Sequence, residues 1–279
     1  MSLPGGNDDD LLVKSRAALL DALSALDMQR DAVIVVGAQA IYLRTASAPV
    51  ALAEATKDSD LALDPRALDT DRRIDEAMRR AGFLLSGQPG AWVNLDGIPV
   101  DLMVPEKLAG PGGKNARSAR IPPHDRRALR RARGLEAALV DNSVMVIRAR
   151  DAADTRQFDA KVAGPAALLV AKAHKIAERA VSSPDRLVDK DAHDVYRLLV
   201  DTDTEPLAER RRGLLEEDVC AEATGQALAH LGELFAAGPD ATGSVMAGRA
   251  EEGIGEPATV SLQVSILVED LLEAVGTAG

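Results

Sequence analysis

A short apolar run that stops at a glycine constrains the fold of this chain more than any other feature. Residues Ala32–Val36 are all apolar, Gly37 follows at once, and the segment from Ala38 to Arg44 has the composition of a helix. A run of this length that is bounded by a turn residue is typical of a buried strand. A buried strand that turns directly into a helix predicts an α/β arrangement, in which helices cover a sheet.

The next predicted strand carries two carboxylates on one face. Polar and apolar side chains alternate from Lys57 to Leu63, so Asp58 and Asp60 project from the same side of an extended strand. Neighbouring carboxylates repel each other unless a cation or a proton lies between them, and hard oxygen ligands suit magnesium. Taken alone, an Asp-x-Asp pair is more often a solvated strand edge that limits edge pairing.

A third acid occurs in a later strand. The segment Ile98–Val104 is apolar except for Asp101, and a lone carboxylate in such a strand lies at its open end or is held by a partner. Beside the Asp-x-Asp strand, this acid would be the third corner of an acidic triangle. The turn at Gly37 and Ala38 would leave backbone N–H groups at a helix N-terminus open to a phosphate. Together these features favour a catalytic site over a solvated edge.

The order of the predicted elements indicates two domains, a mixed α/β sheet domain at residues 1–163 and a helical domain at residues 164–279. Within the first domain, the patterns predict a basic helix over 126–133 and a hairpin made of strands at 135–141 and 144–150. The pair Asp96-Gly97 predicts a hairpin turn between strands at 91–95 and 98–104, and we expect Trp92 to pack in the protein rather than to stack on a base. Within the second, Pro165 is expected in the first turn of a helix, and five glycines predict a flexible loop over 238–257.

Charge and cysteine content restrict the classes of function. The net charge of −11 argues against a general nucleic-acid binder, although it does not exclude a local basic groove. The stretch RRALRRAR from Arg126 to Arg133 could bind RNA or a triphosphate tail, although a charge run is more often a solvated helix face. The single Cys220 excludes an internal disulfide. Without a membrane-length apolar run or a basic leader, we expect a soluble, cytoplasmic protein.

Two parts of the chain resemble the DNA polymerase β-type nucleotidyltransferase superfamily. The segments VVGAQAIYLRT and TKDSDLAL are similar to its signature, in which glycine and a second small residue are followed by Asp-x-Asp. The segments LLVAKAHKIAERA and KDAHDVYRLL resemble helices of AbiEii-type abortive-infection toxins. The resemblance covers roughly residues 30–105 and 165–200. The chain departs from it at Ala38, where the family has Gly or Ser, and at 46–54, which looks like an insertion.

The resemblance implies a magnesium-dependent enzyme that moves a nucleotide from a nucleoside triphosphate to a hydroxyl, with two metal ions. It implies that the metal ligands are Asp58, Asp60 and Asp101, the last of these as ligand or as activator of the hydroxyl. It also implies that Lys172 meets the triphosphate and that Asp194 belongs to the site. The remaining candidates for contact with phosphate are Gly37, Ala38, Arg44 and Lys57, although the last two could equally be solvated charges.

The resemblance leaves the acceptor and the activity open. A toxin-like protein implies RNA as acceptor, such as the 3′ end of a tRNA, and an antitoxin or regulator protein as partner. A small molecule or a protein side chain is an alternative acceptor. A degenerate member of the superfamily would bind nucleotide, or only a partner protein, without turnover.

The setting of Lys172 points independently to a charged partner. It lies among apolar residues on its predicted helix, which is an unusual place for an ammonium group. The alternative is a lysine that reaches out to solvent at the seam of the two domains. Asp191 and Asp194 lie three residues apart on one helix face, and we expect Asp191 to cap that helix, which leaves Asp194 for the site.

Overall fold

The computed structural model describes residues 6–48, 50, 57–113 and 116–276. The described residues of Met1–Ala40 and Ala55–Ala163 form one compact unit, and those of Ile41–Glu54 and Gly164–Gly279 form the other. Residues 41–54 were predicted to belong to the first domain, whereas those of them that the structure describes group with the helical unit.

Arg197 explains why the segment after residue 40 belongs with the helices. Its guanidinium is buried and donates to Oγ1 of Thr45 at 2.6 Å, to the carbonyl oxygen of Thr45 at 2.6 Å and to that of Val50. A planar fork of N–H donors fits such a set of acceptors well. These partners lie about 150 residues apart in the sequence, so local patterns give no sign of the contact.

The first unit is built on a mixed sheet, which confirms the predicted α/β class. Its helices are α1 (Gly6–Ala25), the first half of α2 (Gly37–Arg44) and α3 (Ile74–Arg80). Its strands are β1 (Val33–Val36), β2 (Ser59–Leu63), β3 (Leu84–Leu85), β4 (Ala91–Val93), β5 (Pro99–Pro105), β6 (Arg130–Ala132), β7 (Asn142–Arg148) and β8 (Gln157–Ala163). The strand order is β3-β4-β5-β2-β1-β8-β7, and β6 pairs with β5 outside this path. Strand β2 is antiparallel to β1 and parallel to β5.

Helix α1 covers one face of the sheet through apolar packing and a buried polar network. The hydroxyl of Ser59 in β2 donates to the carbonyl oxygen of Ser15, and Gln39 donates to the hydroxyl of Ser15. Gln39 in turn accepts from the guanidinium of Arg16 at 3.0 Å. Because side chains alternate along β2, Ser59 faces α1 and Asp60 projects from the other face of the sheet.

Two local predictions for this unit are confirmed. The Asp96–Gly97 pair forms the turn between β4 and β5, with Gly97 at a φ of +74° and the N–H of Asn94 donating to the carbonyl of Ile98. A positive φ at this position is the reason that glycine marks such hairpins. Trp92 is fully buried and donates its indole N–H to the carbonyl of Ala128 at 3.0 Å, so it has the packing role that we expected.

Two other predictions for this unit are wrong. Residues 126–133 do not form a helix, because β6 pairs with β5 in parallel and places Arg130 beside Met103. Arginine, alanine and leucine are good helix formers, and the pairing overrides that weak preference. Residues 135–141 do not form a strand, because Glu136–Leu139 is a short 3-10 helix and the hairpin is made by β7 and β8.

The second unit is helical. Its helices, besides the second half of α2, are α4 (Pro165–Ser182), α5 (Asp189–Asp201), α6 (Thr204–Glu216), α7 (Ala221–Leu231), α8 (Thr242–Arg249) and α9 (Pro257–Gly276). Pro165 occupies the first turn of α4, as predicted. No helix of the described residues is both long and apolar enough to cross a membrane.

Helix α8 lies within residues 238–257, where we predicted a flexible loop. A β-carbon built on Gly243 would lie 2.7 Å from ring atoms of Phe235, and the neighbouring Ser244 is fully buried. The glycine here serves close packing rather than flexibility, and composition alone does not separate the two uses.

Helices α4 and α7 meet at a pair of histidines. The rings of His174 and His230 lie 5.3 Å apart, and Nε2 of His174 is 2.8 Å from the carbonyl oxygen of Ala223. Burial and the neighbouring His174 lower the pKa of His230 below its ordinary value of 6.5.

We therefore expect the free energy of unfolding to fall as the pH drops below about 6.5, because the unfolded chain then binds a proton that the folded His230 resists. His230→Gln should flatten this part of the stability profile, as measured by urea unfolding between about pH 8 and pH 5. An unchanged profile in the variant would show that His230 is not the group responsible.

Candidate active site

The structure places Asp60 and Asp101 side by side. Asp60 in β2 is the register partner of Asp101 in the parallel strand β5, and Val36 at the end of β1 is the partner of Asp60 on its other side. Register partners on neighbouring strands project from the same face of a sheet. The two carboxylates predicted to share a site are therefore neighbours on the face opposite α1.

The carboxylate of Asp60 lies against the turn into α2. Gly37, the first residue of that helix, has a φ of +65°, and a β-carbon built on it would lie 2.1 Å from Oδ2 of Asp60. Only glycine accommodates this approach, and the positive end of a helix favours a nearby anion. Ala38 follows in the same helix and is buried, so its side chain leaves the turn unobstructed.

Asp101 forms an ion pair with an arginine of the basic stretch 126–133, a pairing that was not predicted from the sequence. Nη2 of Arg130 lies 2.7 Å from Oδ2 of Asp101, and the same nitrogen lies 3.0 Å from the sulfur of Met103. Both side chains of the ion pair are partly buried, so solvent screens this contact less than a surface pair. The pair forms because β6 lies beside β5, and the sequence carries no signal for that pairing.

The other residues predicted for this site lie next to β2 or at the end of α2. Asp58 and Lys57 are exposed and lie just before β2, and Arg44 is the last residue of α2. Residues 49 and 51–56, which include most of the predicted insertion, lie outside the described residues.

The carboxylate oxygens of Asp60 and Asp101 are chemically suited to bind a magnesium ion. Among the residues that the structure describes, no three side chains of His, Cys, Asp or Glu are arranged to hold a metal ion. Magnesium keeps several waters and is usually bound by one or two carboxylates together with substrate phosphates, so Asp60 and Asp101 suit it without a full protein cage. The three-carboxylate site and the two-ion arrangement stay predictions.

Lys172 lies at the centre of a buried ionic cluster in the helical unit. Its ammonium group, on α4, donates to Oδ1 of Asp191 and to Oδ2 of Asp194, both on α5, at 2.6 Å each. Lys175 and Arg179 also contact Asp191, at 2.9 and 3.0 Å. Lys172 therefore has the charged partners that its apolar setting predicted.

Electrostatics hold the members of this cluster in their charged forms. Burial, the largest influence, would lower the pKa of Lys172, but the charges of Asp191 and Asp194 outweigh it and raise that pKa well above its usual range. Burial would likewise raise the pKa of Asp191, but Lys172 and Lys175 outweigh it and hold that pKa well below its usual range. The pKa of Asp194 is lowered for the same reason, by Lys172 and Lys190.

The structure corrects the role expected for Asp191. Helix α5 begins at Asp189 with Val188 in the capping position, so Asp191 lies inside the first turn and does not cap the helix. Its carboxylate instead binds three basic side chains of α4, Lys172, Lys175 and Arg179. The partners lie 12 to 19 residues away in the sequence, and the helical spacing on α5 alone could not reveal them.

Lys190 and Tyr42 extend the cluster and were missed by the sequence analysis. Nζ of Lys190 lies 3.2 Å from Oδ2 of Asp194 and 5.2 Å from the centre of the Tyr42 ring. Burial raises the pKa of the Tyr42 hydroxyl above its ordinary value of 10.0. The spacing of four residues between Lys190 and Asp194 was a signal that could have identified one of these contacts.

Comparison of the chain with protein-family models, with curated proteins and with solved structures found no match. A function for this chain is therefore inferred from the geometry of the described residues and from their chemistry.

Proposed function

We propose that this protein is a nucleotidyltransferase that moves a nucleotide from a nucleoside triphosphate to a hydroxyl acceptor with the help of magnesium. The observation that carries the proposal is the register of Asp60 and Asp101 on adjacent parallel strands, with Asp60 against the glycine turn that begins α2. A pair of carboxylates beside a helix N-terminus combines ligands for a hard cation with N–H groups that favour phosphate.

In the proposed reaction, the acceptor oxygen forms a bond to the α-phosphorus and the bond from that phosphorus to pyrophosphate breaks. Asp60 and Asp101, with Asp58 before them, would hold the magnesium, which neutralises phosphate charge when bound. Asp101 accepts the proton of the attacking hydroxyl. The turn at Gly37 and Ala38 orients the phosphates, and Arg44 and Lys57 are the candidates for further phosphate contact.

We assign Lys172 and Asp194 a structural role within the helical unit. Both side chains are almost completely buried and in contact with each other, so Lys172 directs its charge at Asp191 and Asp194. Their cluster fixes α4 against α5. From the resemblance to AbiEii-type toxins we further propose RNA as the acceptor, an antitoxin or regulator protein as the partner and a cytoplasmic location.

A second candidate is a degenerate member of this superfamily that binds nucleotide, or a partner protein, without turnover. The observation in its favour is the ion pair of Arg130 with Asp101, in which a guanidinium lies where the proposed reaction needs a metal ion. In the enzyme, Arg130 gives up or shares this carboxylate when magnesium and the triphosphate bind.

Asp60→Asn tests whether this carboxylate carries the proposed activity. The change removes one negative charge and keeps the size of the side chain, so we expect transfer of label from each nucleoside triphosphate to bulk RNA to fall about 100-fold or more. Magnesium-dependent nucleotide binding, measured by calorimetry, should weaken in parallel. The matched control is Asp96→Asn, the same chemical change at an exposed turn of the same unit, and it should leave both measurements unchanged.

The result with the unaltered protein decides between the two. Magnesium-dependent binding without label transfer to RNA or to small hydroxyl compounds would favour the degenerate member. The absence of both binding and transfer would refute the proposal.

A further inference from the structure

A basic segment stands out in this acidic protein. Residues 106–134 contain nine lysines and arginines but only two acids, Glu106 and Asp125, whereas the whole chain has a net charge of −11. Concentrating like charge in one segment costs free energy through self-repulsion. Such a segment is expected where an external anion offsets that cost.

Arg130 and Arg133 of this segment form ion pairs with Asp101 and Glu106, whereas hydrogen bonds to neutral acceptors hold three other arginines. Arg117 donates to the side-chain oxygen of Gln88 at 2.8 Å, and Arg127 donates to the carbonyl oxygen of Ser86 at 3.1 Å. Arg131 donates to the carbonyl oxygens of Ala109 and Gly110 at 3.3 and 2.6 Å. These acceptors are neutral, so each guanidinium keeps its full positive charge, and donors fixed in advance lose less freedom when an anion binds.

The backbone brings these arginines into one surface. The N–H of Arg131 donates to the carbonyl of Arg117, and the N–H of Arg120 donates to the carbonyl of Ala109, which Arg131 also contacts. Arg117 and Arg127 meet the same short loop, at Gln88 and Ser86. We call five of the exposed or half-buried arginines of this region, without the ion-paired Arg130 and Arg133, the basic surface; they are Arg117, Arg120, Arg126, Arg127 and Arg131.

The basic surface meets the candidate active site at β6. Arg131 and Arg130 are consecutive residues of this strand, so their side chains leave opposite faces of the sheet, and Arg130 forms the ion pair with Asp101. An extended polyanion bound along the basic surface would reach the candidate active site by passing β6.

We propose that the basic surface binds the sugar–phosphate backbone of a nucleic acid, which presents its hydroxyl to the candidate active site. The binding itself is inferred from charge and geometry. The presentation of the hydroxyl to the candidate active site rests, in addition, on the proposed function. Guanidinium groups match phosphate oxygens in pairs, and repeated phosphates match a row of separate arginines.

Residues 106–134 contain no Phe, Tyr or Trp on which bases could stack. Recognition through this surface is therefore electrostatic, tolerant of base sequence and strongly dependent on salt. It differs in this respect from binding sites for single strands that combine a basic groove with aromatic side chains.

A pair of charge-matched double variants tests the proposal. Arg120→Gln with Arg126→Gln removes two positive charges from the basic surface, and Arg72→Gln with Arg79→Gln removes two from exposed arginines elsewhere in the same unit. Both variants have the same net charge. Fluorescence anisotropy with labelled single-stranded RNA and DNA of mixed sequence, in EDTA and without nucleotide, measures affinity over a series of salt concentrations.

We expect the unaltered protein to bind and its affinity to fall steeply with salt. The basic-surface variant should bind about 10-fold or more weakly, and the slope of log affinity against log salt should drop by roughly 1.4, since each phosphate contact on a single strand contributes about 0.7. The control variant should match the unaltered protein. The assay contains EDTA and no nucleotide, so its result does not depend on the proposed catalytic step, which separates this inference from the proposed function.

Equal losses in both double variants would overturn the proposal, because bulk charge would then explain binding. Absence of binding to either nucleic acid would also overturn it, and magnesium-dependent nucleotide binding would still support the proposed function. Stronger binding to polyglutamate than to nucleic acid would overturn it in favour of an acidic protein partner.

Discussion

Lys172→Met is expected to lower the free energy of unfolding by about 3–5 kcal/mol. The ammonium group of Lys172 is almost completely buried between Asp191 and Asp194, at 2.6 Å from each. Methionine fills a similar volume but leaves two buried carboxylates without their central counter-charge. Urea unfolding followed by circular dichroism measures the loss.

Lys175→Met is the matched control. Lys175 contacts the same carboxylate of Asp191 at 2.9 Å, but 40% of its side chain is exposed. A contact that solvent screens contributes little to stability, so we expect Lys175→Met to lower the free energy of unfolding by less than about 1 kcal/mol. Equal losses in the two variants would contradict the view that burial makes Lys172 the centre of the cluster.

The same cluster predicts how stability depends on pH. The pKa values of Asp191 and Asp194 lie below their ordinary value of 3.8, so the unfolded chain takes up protons first as the pH falls. Their contribution to stability is complete above that ordinary value and is lost as the pH falls through the folded pKa values. The difference in stability between the unaltered protein and Lys172→Met should therefore shrink below about pH 4.

Gly37→Ala is expected to have the second large effect, on stability and on nucleotide binding together. Gly37 has a φ of +65°, which costs an alanine roughly 1–2 kcal/mol. The new β-carbon would also lie 2.1 Å from Oδ2 of Asp60, so either the turn or the carboxylate must move. Overpacking of this kind costs about 1–3 kcal/mol more. Calorimetry with magnesium and nucleoside triphosphates, together with urea unfolding, measures both effects.

Gly97→Ala separates the two causes. Gly97 has a similar φ of +74°, and nothing lies within 4 Å of a β-carbon built there. This variant should lose only the backbone contribution and keep any nucleotide binding. If both glycine variants lost the same stability and bound nucleotide equally well, the close approach of Gly37 to the Asp60 carboxylate would have no role in nucleotide binding.

The features that were predictable from the sequence are those set by neighbouring residues. The strand that ends at Gly37 and the turn at Gly97 are both determined within a few positions, by an apolar run and by a backbone angle that glycine tolerates. The basic stretch at 126–133 was misread because its composition favours a helix, while its conformation is decided by β5, more than 20 residues away.

Partners that are distant in the sequence were the main source of error at the sites. The alternation of β2 and the lone acid of β5 suggested that Asp60 and Asp101 could meet, and the register joins them. The ion pair of Asp101 with Arg130 depends on the position of β6, which no periodicity encodes. Asp191 resembled a helix cap because a cap is the commonest local role for an acid near a helix start.

The helical unit draws one of its pieces from early in the chain. Because Arg197 binds Thr45 and Val50, a fragment that starts at Gly164 lacks the acceptors for a buried guanidinium. During synthesis on the ribosome, the segment around Thr45 emerges about 150 residues before the helix that it serves. The segment around Thr45 can make these contacts only after α5 has been synthesised, so the helical unit completes its folding late. The unit is also discontinuous in the sequence, so it could not be transferred to another protein as one continuous segment.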